Sequence, residues 1–395
     1  MEKNLKRSCV VLAVFACILF ALTGESGAVP TATLRPLTTG SLFCVHGDWS
    51  PDGEWVVYSH QKPGHSETDI YKIRSDGTGA VQLTSGYYCD SKPQFSPNGN
   101  QIVFQRNKNP EGTRTLQHQA SIWVMDADGT NQRQLVRPGA GEIGGAQTPL
   151  WSPDGKYIAY RYGESENKGI WVISADGKTG PQHIVAADFG EASEKYLDWN
   201  PIAFPRTIAV SIRVGSQNDS NTRTRHIAFV KFDPSRRRGP VMNTLWLTKS
   251  DRTGVNAKTC QWNMKWKNDG KTLVYTDDYN NRSDIWVMNS EGRGKVRLTD
   301  SAGNSNACYS DPNWSPNGEY IAYWSSEGLA STSTKRIYLM TADGNNKTCL
   351  MSDEKLKQSS RDGYLLHFNK SGEAILFTGH DSSNIVQLFV LDLHY

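Results

Sequence analysis

A short turn motif recurs seven times along this chain of 395 residues. It consists of an aromatic anchor followed by Ser-Pro-Asp-Gly or a close variant, and four copies are clear: Trp49-Ser-Pro-Asp-Gly53, Phe95-Ser-Pro-Asn-Gly99, Trp151-Ser-Pro-Asp-Gly155 and Trp314-Ser-Pro-Asn-Gly318. Looser copies complete the set, so the seven anchors are Trp49, Phe95, Trp151, Trp199, Trp266, Trp314 and Phe368. A unit of this size cannot bury its apolar face alone, so the repeat predicts an array of small units packed side by side.

Each unit has the composition of four short strands, which we name A to D. Strand A ends at the anchor, and after the turn strand B alternates large residues, as in Glu54-Trp-Val-Val-Tyr58. Strand C has the form Ile-Trp-Val, as in Ile122-Trp-Val-Met125, and a second turn containing Asp-Gly leads to strand D. Proline presets the turn dihedral and glycine supplies a positive φ, so both turns suit tight hairpins. Four antiparallel strands repeated seven times predict an all-β fold, a seven-bladed β-propeller.

The two ends of the array are incomplete in a complementary way. Leu34–Thr38 precedes the first anchor, at the place of a strand D, and unit seven stops after its strand C at Leu388–Leu391. We therefore predict that the N-terminal strand completes the last blade and covers its open edge. The predicted propeller domain is 29–395.

The N-terminus has the features of a secretory signal. Lys3, Lys6 and Arg7 precede an apolar run from Cys9 to Leu22, which is shorter than a membrane span, and Ser26-Gly-Ala28 supplies small residues for cleavage. This pattern predicts a signal peptide over 1–28 and a periplasmic or secreted protein, with an uncleaved membrane anchor as the alternative. The formal net charge of +3 and the lack of a long basic run argue against nucleic acid as a partner.

The Trp-Ser-Pro-Asp-Gly and Ile-Trp-Val…Asp-Gly units resemble the PD40, WD40-like repeats of TolB-type propellers, and the resemblance covers 34–395. It implies the fold and leaves the function open. TolB itself pairs a separate N-terminal domain with a six-bladed propeller. This chain has no room for that domain and carries seven units, so the resemblance does not extend to a Tol–Pal role. Prolyl-peptidase-type enzymes carry similar propellers, but the sequence has no Gly-x-Ser-x-Gly motif.

Four cysteines share a register before their anchors. Cys89, Cys260 and Cys308 each stand six residues before an anchor, and Cys44 stands five before. Neighbouring blades would pair as Cys44–Cys89 and Cys260–Cys308, which export permits. Buried thiols and a metal site are the alternatives, although no Cys-x-x-Cys spacing supports metal.

We expect functional residues in the long B–C and D–A connections, because variable loops on a rigid scaffold commonly carry function. Histidine is concentrated there in blades seven, one and two, which are consecutive round the ring: His46 just before strand A of blade one, His60 and His65 at its B–C loop, His118 in that of blade two and His380 in that of blade seven. All five could converge near one side of the channel mouth, and His46, His60, His118 and His380 are the candidate catalytic residues; chance occurrence in exposed loops is the alternative. Arg106, Arg161 and Arg213 follow strand B at a similar offset and are candidates for binding an acidic group, or else for pairing with loop carboxylates.

The residue just before each anchor is polar in six of seven blades: Asp48, Gln94, Leu150, Asp198, Lys265, Asn313 and His367. If strand A lines the central channel, these residues form a ring around it, and a structural role is the expected one.

Two functions follow from these features. The preferred one is an exported, monomeric scaffold that binds a protein or a cell-envelope glycan on its B–C/D–A loop face and needs no cofactor. The alternative is an enzyme, because oligogalacturonate lyases look like seven-bladed relatives of this group. That resemblance implies a carbon–oxygen lyase acting on an acidic polysaccharide, with a divalent metal only in that case. A lyase requires the histidines to meet at one pocket facing Arg106 or Arg161, whereas a binding protein permits them to be scattered.

Overall fold

A computed structural model shows a ring of seven four-stranded antiparallel sheets, as the repeat predicts. The residues it describes are 30–40, 43–61, 67–108, 120–137, 145–162, 169–186, 197–202, 206–214, 224–234, 244–246, 259–279, 282–302, 307–329, 335–351 and 366–395. The strands before and within the first three blades are β1 (Thr31–Pro36); β2 (Cys44–Trp49), β3 (Trp55–Gln61), β4 (Thr68–Arg74) and β5 (Val81–Gln82); β6 (Tyr88–Phe95), β7 (Gln101–Lys108), β8 (Ala120–Asp126) and β9 (Arg133–Val136); β10 (Ala146–Trp151), β11 (Tyr157–Tyr162), β12 (Gly169–Ser174) and β13 (Gln182–Ala186).

The remaining blades repeat this order. They contain β14 (Leu197–Trp199), β15 (Arg206–Val214), β16 (Thr224–Phe232) and β17 (Thr244–Trp246); β18 (Thr259–Trp266), β19 (Thr272–Tyr279), β20 (Arg282–Asn289) and β21 (Val296–Arg297); β22 (Tyr309–Trp314), β23 (Tyr320–Ser325), β24 (Arg336–Thr341) and β25 (Thr348–Cys349); β26 (His367–Phe368), β27 (Ala374–His380) and β28 (Val386–His394). A single parallel pairing of Arg225 with Cys260 joins strand C of blade four to strand A of blade five.

The core consists of seven apolar clusters, and each lies between two consecutive blades. The cluster that contains Trp49 and Val56 of blade one also contains Leu376 and Val390 of blade seven. First and last blades are therefore packed like any other pair, and the ring is closed.

The Ser-Pro-Asp/Asn-Gly turns are held by their own side chains. In the first turn the hydroxyl of Ser50 accepts a hydrogen bond from the backbone N–H of Trp55 at 2.9 Å, and the carboxylate of Asp52 accepts one from Glu54 at 3.0 Å. Gly53 has φ of 77°, which favours glycine at this position. The same serine bond recurs in the turns that begin at Ser96, Ser152 and Ser315, so the motif ends strand A and starts strand B in the same way.

The predicted closure by the N-terminal strand is confirmed. Strand β1 pairs antiparallel with β28, from Thr31 opposite His394 to Pro36 opposite Phe389. Just beyond the strand, buried Thr38 donates to Gln387 Oε1 at 2.7 Å and accepts from the backbone N–H of Leu388 at 3.0 Å. These contacts satisfy backbone groups that an open propeller would leave exposed at its last edge.

Candidate functional site

The inner strands of the propeller share a bulge. Wherever the structure describes the residue three positions before the anchor, that residue has a positive φ without being glycine: His46 (57°), Lys92 (55°), Thr148 (49°), Asn263 (50°) and Asp311 (56°). The pairing of strands A and B shifts register at the same places. A bulge re-aims side chains and strains the backbone, and both features are common beside functional sites. Because every described copy has it, the bulge is part of the repeat, and the blades differ in the side chain placed there.

The ring of residues just before the anchors links neighbouring blades. Asp48 Oδ2 accepts a hydrogen bond from the backbone N–H of Phe95 at 2.9 Å, and Gln94 Oε1 accepts one from Trp151 at 2.9 Å. Asp198 Oδ2 accepts in the same way from Trp266 at 2.8 Å. The ring therefore has a structural function at these blades, because each side chain holds the next inner strand.

A cavity occupies the centre of the ring, with about 570 Å³ of empty space that is partly continuous with solvent. It is lined by His46, Gly47, Asp48, Lys92, Pro93, Gln94, Thr148, Pro149, Leu150, Leu197, Lys265 and His367. These residues lie within a few positions of the anchors, so the cavity is nearer to the A–B turns than to the D–A connections.

Charged pairs surround this cavity. His367 Nδ1 lies 3.4 Å from Asp48 Oδ1, and Lys265 Nζ lies 3.4 Å from Asp198 Oδ1. Burial raises the pKa of the Asp198 carboxyl, and the positive charge of Lys265 offsets only part of that effect. The negative charges at this level are thus engaged by neighbouring groups of the protein.

The three predicted histidines that the structure describes lie on three different strands. His46 lies inside strand β2, not before it as predicted, and lines the cavity. His60 is at the loop end of β3, where its Nδ1 lies 3.0 Å from Cys44 Sγ and its ring packs edge-on to Tyr71. His380 is the last residue of β27, whereas we had predicted it in the loop. His118 and His65 lie outside the described residues. Of the candidates that the structure describes, only His46 reaches the cavity, and a catalytic role for the others stays a prediction.

Among the predicted arginines, Arg106 is held most tightly. Its guanidinium forms two hydrogen bonds of 2.7 Å with the buried carboxylate of Asp90. It also lies over the rings of Tyr88 (4.8 Å), Phe104 (5.2 Å) and Trp123 (4.6 Å). Both the charge and the flat faces of Arg106 are thus occupied within blade two.

Of the other two arginines, the structure describes the side chain of Arg161 but not that of Arg213. Arg161 is buried and donates to Gln147 Oε1 at 3.3 Å. Arg213 lies on β15 opposite Arg225, and its side chain is outside the described part of the chain. Ligand binding by these arginines stays a prediction.

The cysteines whose side chains the structure describes, Cys44, Cys89, Cys308 and Cys349, are thiols. Cys44, Cys89 and Cys308 are not joined in disulfides, so neither predicted bridge is formed there, and the side chain of Cys260 lies outside the described residues. Burial raises the pKa of the Cys44 thiol to about 12, which keeps it protonated beside His60 at neutral pH. This pair therefore lacks the thiolate that a cysteine nucleophile requires. Oxidation of the predicted pairs in an exported protein stays a prediction.

An aromatic patch lies on the loop face between blades one and two. Tyr87 is 86% exposed and Tyr88 is 41% exposed, in the D–A connection and at the start of β6. Arg106 lies beneath Tyr88 and is fixed by Asp90, so the patch has a rigid base. We call Tyr87, Tyr88, Asp90 and Arg106 the Tyr87 platform.

Sequence reasoning missed Lys92 and Thr148 as cavity residues. The signal was present, because both stand three positions before an anchor, as His46 does. Their meeting depends on the bulge and on ring closure, which the local pattern does not reveal.

Among the described residues, no group of three or more His, Cys, Asp or Glu side chains is arranged to hold a metal. The described part of the chain also contains no helix of the length and apolar character needed to cross a bilayer.

Comparison with known proteins gives the same fold but no single function. No family model matches the chain. An uncharacterized protein of Agrobacterium fabrum is 32% identical over 113 residues, which is 29% of this chain and 38% of that protein. The Tol-Pal system protein TolB 1 of Novosphingobium aromaticivorans is 37% identical over 81 residues, which is 20% of this chain and 16% of that protein. The matched segments thus cover well under half of these relatives.

A likeness over almost the whole chain is seen only at the level of structure. The solved structure of an oligogalacturonate lyase in complex with manganese superposes with a TM-score of 0.64 at 13% identity, over 93% of this chain and 94% of that one. At this identity the likeness concerns the fold alone. The seven-bladed architecture confirms the propeller predicted from the repeat, and the short match to a TolB protein agrees with the resemblance of the blade sequences to TolB-type repeats.

Proposed function

We propose that this protein is an exported binding scaffold that holds a partner on its B–C/D–A loop face. The observation that carries this proposal is the Tyr87 platform, where an almost fully exposed tyrosine follows a rigid blade edge. Tyrosine supplies a large amphipathic contact area at a low cost in conformational entropy, so exposed tyrosines on rigid supports are typical of recognition surfaces.

The state of Arg106 supports binding by aromatic contact at this place. Its charge is balanced by Asp90, and its guanidinium is stacked on three rings. An arginine that neutralises a substrate carboxylate must offer its fork to that substrate. Arg106 offers its fork to Asp90 and contributes by fixing Tyr88.

The partner on this face is a protein or a cell-envelope glycan, since both classes pack well against tyrosine rings. Export is supported by the signal-like segment 1–28, and the short match to a Tol-Pal system protein agrees with a place in the cell envelope.

The test is a binding assay with the purified propeller, titrated against peptidoglycan fragments, envelope oligosaccharides and soluble domains of envelope proteins. Tyr87→Ala should weaken binding at least tenfold, the loss expected for an aromatic anchor. Tyr395→Ala is the matched control, because Tyr395 is 60% exposed and its hydroxyl donates to Gly372 at the opposite end of the propeller. Equal effects of both substitutions, or no binding by any member of the panel, would overturn the proposal.

The lyase alternative has its own assay. Acidic oligosaccharides are incubated with the protein, with and without divalent metal, and the ultraviolet absorbance of unsaturated uronate is followed. A rising signal that depends on His46 would favour the enzyme over the binding scaffold.

A further inference from the structure

The central cavity is a second place where this protein can hold a ligand, separate from the Tyr87 platform. The acceptor groups on or beside its wall are used in joining blades. Asp48 and Gln94 each accept a backbone N–H from the next inner strand, and Asp198 accepts one as well as facing Lys265. The second oxygen of Asp48 faces His367. A ligand entering the cavity therefore meets few acceptors that are not already engaged.

Donor groups are more available on the same wall. The hydroxyl of Thr148 makes no hydrogen bond although the residue is only 4% exposed. The amide of Gln94 uses its oxygen in the bond to Trp151, which leaves its NH₂ group for a ligand. An unsatisfied buried hydroxyl costs free energy, so a ligand that accepts from it gains that amount on binding.

The charge of the wall points in the same direction. Lys92 and Lys265 line the cavity, Lys265 faces Asp198 beside the wall, and Asp48 is the one carboxylate among the lining residues. Ammonium and donor groups that converge in a partly enclosed space favour an acceptor-rich anion over a neutral or cationic molecule.

We propose that the central cavity binds one small molecule carrying an oxyanion, a carboxylate or a phosphate, among Lys92, Gln94 and Thr148. The oxyanion accepts from the lysine ammonium and from the hydroxyl and amide donors. The bulge places Lys92 and Thr148 at equivalent positions of adjacent blades, which explains how two different inner strands supply one site.

The experiment is calorimetric titration of the protein at constant ionic strength with three probes: glucuronate, inorganic phosphate and glucose. Glucose matches glucuronate in size and lacks its charge. We expect binding of glucuronate or phosphate, and the stronger of the two identifies the kind of oxyanion. Binding of glucose with the same affinity as glucuronate would overturn the proposal, and so would an absence of heat with all three probes.

Two variants locate the site. Lys92→Gln removes one positive charge and should lower the affinity at least tenfold, whereas Lys178→Gln, at an exposed turn of blade three, should leave it unchanged. Thr148→Val keeps the shape of the side chain and removes only the hydroxyl. It should weaken binding several-fold while leaving the melting temperature unchanged or higher, because no hydrogen bond within the protein is lost. Unchanged affinity in both cavity variants would place any binding elsewhere.

The platform and the cavity are tested independently. Tyr87→Ala should not change the affinity for the small anion, and Thr148→Val should not change binding of the macromolecular partner. If one of the two proposals fails, the other can therefore still be tested.

Discussion

At the scale of single residues, the tryptophan anchors do more than fill the core. The indole Nε1 of Trp49 donates to the backbone carbonyl of His367 at 3.0 Å, and three other anchors make the equivalent bond to the preceding blade: Trp151, Trp199 and Trp314. Trp266 is as well buried, yet its Nε1 makes no hydrogen bond. The same residue type in the same repeat position thus occurs with and without the bond.

This difference yields a paired prediction. Trp49→Phe removes apolar volume and a hydrogen bond between blades, whereas Trp266→Phe removes similar volume and no bond. We expect Trp49→Phe to lower the free energy of unfolding by about 1 kcal/mol more than Trp266→Phe does. Urea unfolding followed by circular dichroism measures both. Equal losses would show that the indole bonds add nothing to the joining of blades.

Asp198 makes stability depend on pH in an unusual direction for a carboxylate. Burial raises its pKa in the folded state, so the folded state favours the protonated form. The stability from this group is complete below the ordinary carboxyl pKa of about 3.9 and is lost as the pH rises through the folded pKa. Asp198→Asn keeps an oxygen for the N–H of Trp266 and removes the titration. When unfolding is measured from about pH 4 to pH 7, the free energy of unfolding of the variant should increase relative to that of the parent as the pH rises.

The matched control for that measurement is Asp52→Asn. Hydrogen bonding from Ser50 lowers the pKa of the Asp52 carboxyl, so its contribution is present above the ordinary carboxyl pKa and lost as the pH falls. The free energy of unfolding of Asp52→Asn should therefore decrease relative to that of the parent as the pH rises. Two difference curves with the same slope would contradict the raised pKa of Asp198.

At the scale of strands and blades, the sequence predicted the features that depend on neighbouring residues in the chain. The anchors, the Ser-Pro-Asp/Asn-Gly turns and the strand order were correct, because each turn is held by its own serine and glycine. The bulge of strand A was not predicted, since residues such as His46 and Lys92 have no composition that signals a positive φ. Which side chains face one another in the channel depends on that bulge, so the cavity was missed although its ring residues were noticed.

The environment of Arg106 shows a second limit of the same kind. Its predicted place after strand B suggested a ligand-binding role, but Arg106 lies within β7 and strand pairing places Asp90 directly opposite. Counting back from both sides of the hairpin turn places Ser91 opposite Arg106, and only the bulge of strand A shifts the register by one residue so that Asp90 takes that place. The ion pair therefore could not be predicted without the bulge. The stacking on Trp123 was within reach of sequence reasoning, because Trp123 lies on the next strand of the same blade. The exposure of Tyr87 was not, since it depends on how two blades meet.

At the scale of the whole molecule, closure of the ring rests on one short strand at the N-terminus. Strand β1 supplies the fourth strand of blade seven, and the apolar cluster between blades one and seven includes Leu37 just after it. Arg35 also pairs with Asp392 at 2.6 Å, but both side chains are about one-third exposed, so solvent reduces the value of that ion pair. Backbone pairing and burial must therefore supply most of the closure.

This reasoning predicts that the position of β1 in space matters, whereas its position in the chain does not. Thr31 lies opposite His394, so a two-residue Asn-Gly turn after Tyr395 can lead directly into 30–38. A chain that begins at Thr39 and carries 30–38 after that turn should be monomeric, with a midpoint of urea unfolding close to that of 30–395. A chain that begins at Thr39 without the addition should unfold at lower urea and self-associate, because the edge of β28 is left without a partner. Sedimentation and urea unfolding of the three chains decide the matter. If the shortened chain is as stable and as monomeric as the parent, the first and last blades hold together without their shared sheet, and closure must then rest on the side-chain packing around Trp49 alone.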